Sequence, residues 1–403
     1  FLSNQVAGLL KTHSHLDTFL STDTIDLFKL QVGRLIALQA MRYDNSTSSI
    51  VPLSIIIVNY NSKDLLSRTV ESILNSSYAL SRIELIIVDN NSQDGSLMEL
   101  EGRLKTKLIN LSNFIIIKNN TNQGWCKAIN AGLAQAKGEI IILSNHDVIY
   151  SKDAISKIVP YLTNDNDIGI CQFNSLLPSG EPDVAAAYLD PLGYAYSFMV
   201  DRPTLVSFGE AVAIAIRKDV IEKVGNLDDD YFIEYEDQDF CWRSIIHGYK
   251  ILFVPDAIVH HYRGTVEKPN FFMRERRVYL YTRNHICTLI KNLELHNLLF
   301  YLPQVLLIEL CKALFVLLAK KNFKLSLRIM EGIIAPSLIL PSLHKKRKKI
   351  QQGRSISDKF AFKYFVPFMP IHQLNYLRYQ GEGKRYVLDN QLLIKIRRDK
   401  GMS

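Results

Sequence analysis

From Pro52 onward the chain alternates short, β-branched apolar runs with amphipathic segments. The runs are LSIIIVN at 53–59, IELIIVD at 83–89, NFIIIK at 113–118 and EIIILS at 139–144. Each is followed by a stretch with helical periodicity, near 63–74, 95–104, 124–136 and 151–161. A strand buried on both faces reads as a near-continuous apolar run, and a helix between successive strands makes a parallel crossover. Four βα units in succession therefore predict a mostly parallel sheet covered on both sides.

Regularity then weakens. Residues 168–203 carry several Gly and Pro and read as strands and loops that could cover a site. It returns with a strand at 211–217 (AVAIAIR), a helix at 218–225 ending at Gly225, and a helix at 232–248 (FIEYEDQDFCWRSIIHG) with Gly248 as its stop. A strand at 250–255 (KILFVP) follows. Residues 1–50 read as two helical stretches, with Ser21 or Thr22 as a cap and a polar linker at 44–49. The apolar stretch 298–308 contains Pro303 and Gln304 and is shorter than the roughly 20 residues a membrane span needs. The expected organisation is a helical extension and linker at 1–50, an α/β domain at 51–266, and a basic, amphipathic helical region at 267–403.

Charge sharpens that division. Residues 267–403 hold 26 Lys and Arg against 9 Asp and Glu, a balance of +17, which leaves −9 on residues 1–266 out of the overall +8. A cationic segment on an anionic body predicts docking on a phosphate-rich surface. The run HKKRKK at 344–349 is the densest part of it, and it lacks the interleaved aromatics of a nucleic-acid binder. The five cysteines, Cys126, Cys171, Cys241, Cys287 and Cys311, are widely spaced and suggest neither a zinc site nor a disulfide framework. A reducing cytosol is the expected compartment. No signal-peptide pattern stands in the sequence, whose first residue is Phe1, so a targeting segment ahead of it is compatible with what is present.

The candidate chemistry lies at strand ends. The fourth run closes on Asn145, His146 and Asp147, and a carboxylate beyond a buried strand sits where open α/β sheets place their ligands. The alternative is a cap for the helix that begins near Ser151. The first strand ends in Asn59, Tyr60 and Asn61, and the second in Asp89, Asn90, Asn91 and Ser92. Amides and carboxylates there suit a base and ribose, although Asn, Asp and Ser are also ordinary turn residues. No GxGxxG and no GxxxxGK[ST] follows any strand, so a nucleotide's phosphates need another counterion. Magnesium or manganese on Asp147 is the natural one. In YEDQDFCWR at 235–243, Asp239 and Arg243 are i,i+4 neighbours expected to pair, which leaves Asp237 as the candidate base. His260 and His261 follow the strand at 250–255 as candidate metal ligands.

The order VNYNS, VDNNSQDGS, NQGWCKAINAGLAQAKGE, LSNHDV, GEAVAIAIRKDVIEKVGNLDDDYFIEYEDQDFCWR and HHYRG resembles glycosyltransferase family 2, in its bacterial rhamnosyltransferase-like branch, over about residues 51–290. The resemblance implies the GT-A fold, a mixed α/β sheet flanked by helices, here with helical N- and C-terminal extensions. It implies a donor site at Asn59, Asn61, Asp89, Asn90, Gly124 and Asn145. Asp147 resembles the last aspartate of the family's metal-binding DxD motif, with Asn145 where the first would stand, and His261 resembles the distal metal ligand, His260 being the other register. Asp237, beside Glu236, resembles the catalytic base, while Gly209, Glu210 and Trp242 fall at the acceptor pocket. Cys241-Trp242-Arg243 replaces the QxxRW of processive synthases, which implies addition of one or a few sugars.

The implied reaction is an inverting transfer dependent on Mg2+ or Mn2+. The expected donor is dTDP-rhamnose, and the acceptor a saccharide or a polyprenyl-diphosphate-linked glycan of bacterial cell-surface polysaccharide. UDP-GlcNAc, UDP-galactose or similar donors are the alternatives, as is a non-catalytic nucleotide-sugar-binding scaffold. The expected setting is the inner face of the cytoplasmic membrane, with an anionic membrane surface bound through the C-terminal region. A homodimer is compatible with the sequence, and nucleic acid is not an expected partner.

Overall fold

The four apolar runs form β1 (Leu53–Asn59), β2 (Ile83–Asp89), β3 (Asn113–Lys118) and β4 (Ile140–Asn145) of the computed structural model. They pair in parallel in the order β4-β1-β2-β3. Helices α1 (Leu65–Leu74), α2 (Ser96–Leu108) and α3 (Trp125–Leu133) make the crossovers. Every residue of β1 and β2 is buried, which is why these runs show no polar alternation. The structure describes residues 50–263, 271–372 and 387–399, so the helices and linker expected over 1–49 lie outside the described residues.

Beyond β4 the sheet becomes mixed. A two-residue turn leads into β5 (Val148–Tyr150), then α4 (Ala154–Asn164) and β6 (Ile168–Leu176). The irregular stretch supplies β7 (Pro182–Val184), a hairpin of β8 (Ala186–Leu189) and β9 (Ala195–Phe198), and β10 (Thr204–Val206). β11 (Ala213–Arg217) lies antiparallel between β4 and β6, and β12 (Lys250–His261) runs parallel to β6. Helices α5 (Lys218–Val224) and α6 (Glu236–Ile246) connect them.

Two expected boundaries move. The strand expected to stop at residue 255 continues to His261, because a bulge between Val254 and Ile258 accommodates Pro255 and pairing then resumes. The helix expected from residue 232 begins only at Glu236, since Glu234 and Tyr235 take left-handed φ values of 73° and 68°.

The C-terminal region is helical as expected: α7 (Phe271–Asn292), α8 (Leu295–Leu318), α9 (Phe323–Leu338), α10 (Leu340–Gly353), the short α11 (Asp358–Ala361) and α12 (Asn390–Asp399). Pro303 does not interrupt α8, whose 24 residues are long and apolar enough to cross a membrane by length and composition. Gly332 lets α9 approach α7 closely, as a Cβ there would lie 2.7 Å from the Thr282 Cβ.

An ionic cluster ties these helices to the sheet domain. The Lys291 ammonium, 1% exposed, meets Asp228 at 2.6 Å and Asp239 at 2.9 Å. Asp239 also binds Arg243 at 2.9 Å, the expected i,i+4 pair. Lys346 reaches Asp230 at 2.6 Å and Asp228 as well. Arg347 donates to the carbonyls of Ile290 and Leu293. Lys346 and Arg347, at the centre of the HKKRKK run, are thus half-buried and engaged with the protein, while His344, Lys345, Lys348 and Lys349 are exposed.

Candidate active site

The first group of polar residues stands at the carboxyl ends of β1 and β2. Asn59 is fully buried, and its Nδ2 donates to Asp89 Oδ1 at 2.7 Å and to the hydroxyls of Ser92 and Ser96. Its Oδ1 accepts from Ser62 at 2.5 Å. Asp89 accepts further bonds from the Ser92 hydroxyl (2.6 Å) and N–H (3.1 Å), which fix its carboxylate at the strand end. Asn90, 2% exposed, donates to the Gly124 carbonyl at 3.1 Å and accepts from Asn119 at 2.9 Å. Asn59 and Asn90 were expected to touch a nucleotide; both amides are instead engaged internally, Asn59 orienting Asp89 and Asn90 tying β2 to the Gly124 loop. Asn61 is exposed, with its Oδ1 on the Gln93 N–H at 2.8 Å.

Gly124 has φ +86°, and a Cβ on it would lie 2.6 Å from Phe232. Only glycine lets this loop pass so close to the segment preceding α6. The adjoining Trp125 indole donates to Asn145 Oδ1 at 3.1 Å, at the end of β4 and two strand spacings, about 10 Å, from Asp89.

Asp147 lies in the turn between β4 and β5 and does not cap α4, whose N-cap position is Asp153. β5 pairs antiparallel with the end of β12, His261 opposite Val148, so His261 reaches Asp147 from across the ladder. His261 Nε2 stands 3.3 Å from Asp147 Oδ2. His261 Nδ1 donates to Asp183 Oδ2 at 2.7 Å, and Asp183 also accepts from Ser175 (3.1 Å) and Arg263 Nε (2.7 Å). Burial lowers the His261 pKa, but its bonds to Asp147 and Asp183 outweigh that effect and raise it to about 9.

A divalent cation fits this arrangement. One carboxylate and one imidazole face each other, and the second imidazole nitrogen is already oriented by a carboxylate, the usual support of a ligating histidine. Among the described residues no group of three His, Cys, Asp or Glu is arranged to hold a metal ion by itself, so a cation here would draw its remaining ligands from the diphosphate and water. Neither Asp183 nor Arg263 was foreseen. Asp183 lies in an irregular stretch, and only the pairing of β7 with β6, beside β12, brings it to His261.

The second group is built on the loop before β11 and the start of α6. Asp237 is partly exposed; its Oδ2 accepts from the Ala211 N–H at 3.2 Å and its Oδ1 from the Gln238 N–H at 2.8 Å. Burial and then the neighbouring Glu210 charge raise its pKa to about 7, against the pull of those N–H groups. Gly209 packs its N–H against Cys241 Sγ at 3.4 Å. Because the Asn145 N–H bonds the Val212 carbonyl at 3.1 Å, the Gly209–Glu210–Ala211 loop and Asp237 stand at the same edge of the sheet as Asp147.

Glu236 is buried, its Oε2 has no partner among the described residues, and burial beside Asp237 pushes its pKa well above the usual range. Trp242, expected at the acceptor pocket, is fully buried and packs edge-on to Phe365 at 4.9 Å, so its ring faces the C-terminal region and not a cleft. His260 shares the strand with His261 but alternates to the other face. All five cysteines carry free thiols.

Residues 54–225 match the family model described as Glycosyl transferase family 2. The chain is 25% identical over 210 residues to the probable glycosyltransferase YdaM of Bacillus subtilis, covering 51% of this chain and 49% of that protein. It is 36% identical over 110 residues to the UDP-Glc:alpha-D-GlcNAc-diphosphoundecaprenol beta-1,3-glucosyltransferase WfaP of Escherichia coli, covering 27% and 41%. The chain thus spans about half the length of the first of these relatives. Among solved structures it is similar to the mannosyltransferase PcManGT from Pyrobaculum calidifontis in complex with GDP-Man and Mn2+, with 17% identity, a TM-score of 0.46, and coverage of 82% of this chain and 96% of that one.

Proposed function

The chain carries a glycosyltransferase family 2 domain with the GT-A fold, and from that premise we propose that it transfers a sugar, with inversion, from a nucleoside-diphosphate donor to a saccharide or polyprenyl-linked acceptor. The observation that carries this reading is the Asp237 carboxylate, partly exposed beside Glu210 and raised to a pKa of about 7, at the same sheet edge as the Asp147–His261 pair. A base of that pKa is about half ionised at neutral pH and takes up a proton readily.

Asp237 accepts the proton of the acceptor hydroxyl as that oxygen attacks the anomeric carbon from the face opposite the diphosphate. The new glycosidic C–O bond forms as the bond to the phosphate oxygen breaks. The nucleoside diphosphate departs with that electron pair, and the proton stays on Asp237. Glu210 and the Gly209 backbone line the acceptor side, and Glu210 binds a sugar hydroxyl. Asp89, held by Asn59 and Ser92, receives the nucleoside, with Asn61 and Asn145 at the rim of the same edge. Asp147 and His261 would hold Mg2+ or Mn2+, which supplies charge neutralisation for the leaving diphosphate.

For the donor we infer a pyrimidine nucleoside-diphosphate sugar, dTDP-rhamnose or a UDP-hexose. The UDP-Glc and diphosphoundecaprenol in the name of the Escherichia coli relative support a pyrimidine donor and a lipid-borne acceptor. Such an acceptor supports work at the cytoplasmic face of a membrane, in bacterial cell-surface polysaccharide synthesis. The purified chain, given dTDP-rhamnose, UDP-glucose, UDP-GlcNAc or UDP-galactose with Mg2+ or Mn2+, should release nucleoside diphosphate from one donor class above the others. Release from none of them would remove the transferase reading.

A further inference from the structure

Helix α8 has two faces of opposite character. Leu298, Val305, Glu309 and Ala313, spread over its length, are buried against the protein. Leu299, Phe300, Leu307, Leu314 and Leu318 share the other face at 100° per residue, and each is more than half exposed, Leu299 at 69%. The helix holds two acidic or basic side chains, Glu309 and Lys312, and they pair with each other at 2.7 Å on the inward side. The outer face of a 24-residue helix is therefore free of Asp, Glu, Lys and Arg. On the neighbouring α9, Phe323 and Leu338 are exposed as well, 66% and 78%. A monomer seldom leaves a continuous apolar ridge of this length to water.

Cations bracket the ridge. Lys320 and Lys321 are exposed where α8 turns into α9. At the other end, about 36 Å away along the helix, Leu295 and His296 line an open surface pocket with His344 and Lys348, and Lys345 is exposed beside them. Lysines at headgroup level on both sides of a buried apolar band match a bilayer surface, where basic residues are attracted to anionic lipid. A second copy of the chain would meet the same cations as repulsion at both ends of the contact.

We propose that the α8–α9 ridge is a monotopic membrane element that lies flat in one leaflet of an anionic bilayer. Flat, and not across it: α8 is packed on the protein from its first turn to its fifth, and both cationic ends then reach the same headgroup layer. This deepens the membrane setting of the proposed function, while its test uses neither donor nor acceptor, so the two readings stand or fall separately.

The full chain should sediment with vesicles of phosphatidylcholine and phosphatidylglycerol, and part of that binding should survive 0.5 M salt because apolar burial is not screened. Phe300→Glu, Leu307→Glu and Leu314→Glu together should lower partitioning at least 10-fold with the thermal midpoint unchanged. Lys345→Glu with Lys348→Glu should weaken binding to anionic vesicles only. The conservative variants Phe300→Trp and Leu314→Trp keep the ridge apolar and report depth through quenching by brominated lipids. Equal depths support the flat orientation, and depths about 20 Å apart, the rise of the helix between those positions, overturn it. Absence of vesicle binding by the parent chain overturns it too. So does a dimer in solution that the glutamate variants dissociate while vesicle binding is unaffected, which assigns the ridge to a second copy.

Discussion

Asp183 takes the Nδ1 hydrogen of His261 at 2.7 Å and so turns Nε2 of the same ring toward Asp147, 3.3 Å away. An imidazole held by one nitrogen presents the other in a single orientation. Asp183→Asn removes the charge behind that hydrogen bond and should weaken Mn2+ binding about 10- to 100-fold, the usual scale for loss of such a partner. Electron paramagnetic resonance titration of free Mn2+ measures it without turnover. An unchanged affinity in a folded variant would end the orienting role.

Asp147 is the carboxylate of the Asp147–His261 pair and would hold the cation of the proposed site. Asp147→Ala should abolish Mn2+ binding and turnover together, at every concentration of Mg2+ or Mn2+. Should the variant prove as active in chelator as the parent is with metal, Asp147 and His261 are not a metal site.

Asp237→Asn should reduce kcat by at least about 100-fold with donor KM little changed, since the base acts in the chemical step. In the parent, kcat/KM should fall on the acid side of about pH 7, where the carboxylate gains its proton, and the variant should lose that limb. Stability runs the other way. Folding raises the Asp237 pKa from 3.8 to about 7, so between those values the folded chain binds more protons than the unfolded one and stability declines as pH rises. At pH 8 the Asp237→Asn variant should therefore melt higher than the parent. A lower melting point there would contradict the electrostatic account of the site.

Lys291 is the cation shared by Asp228 and Asp239 in the protein interior. Burial opposes the charge on Asp228, but Lys291 and Lys346 together hold it well below the usual carboxylate range. That stabilisation is present above the ordinary Asp pKa and is lost as pH falls through the depressed value. Lys291→Met removes the buried cation that the two carboxylates share, leaving Asp228 to Lys346 and Asp239 to Arg243, and should cost up to about 3–5 kcal/mol, read as a lower urea midpoint at pH 7. Adding Asp239→Asn should return part of it, and strict additivity of the two losses would show that they do not act through one another.

The sequence made the parallel half of the sheet legible because β1, β2 and β4 are buried on both faces and their composition carries that directly. It also revealed the Asp239–Arg243 pair, a contact within one turn of helix. What it hid depends on distance or on side-chain supply. Pro255 reads as a strand end, yet the bulge absorbs it and carries His261 onto the ladder. Asn59 reads as a ligand contact until Ser62, from its own loop, and Ser92 and Ser96, from the stretch after β2, use up its amide. Trp242 stands five residues after Asp237, a rotation of about 140° that turns the ring away from the base. Lys346 gives no local sign of its partners, which lie more than a hundred residues earlier.

Asp237 and Asp239 occupy the same first turn of α6, one turned to the Ala211 N–H and the other to Lys291. Chimaeras that join this sheet domain to another C-terminal region, whether arising by recombination or built by design, inherit that arrangement. They must carry Lys291 and Lys346 with the incoming helices or replace Asp228 and Asp239 in the same step. These four positions work as a compatibility code between the two parts of the gene, and a mismatch would first be seen as poor expression and not as altered sugar specificity.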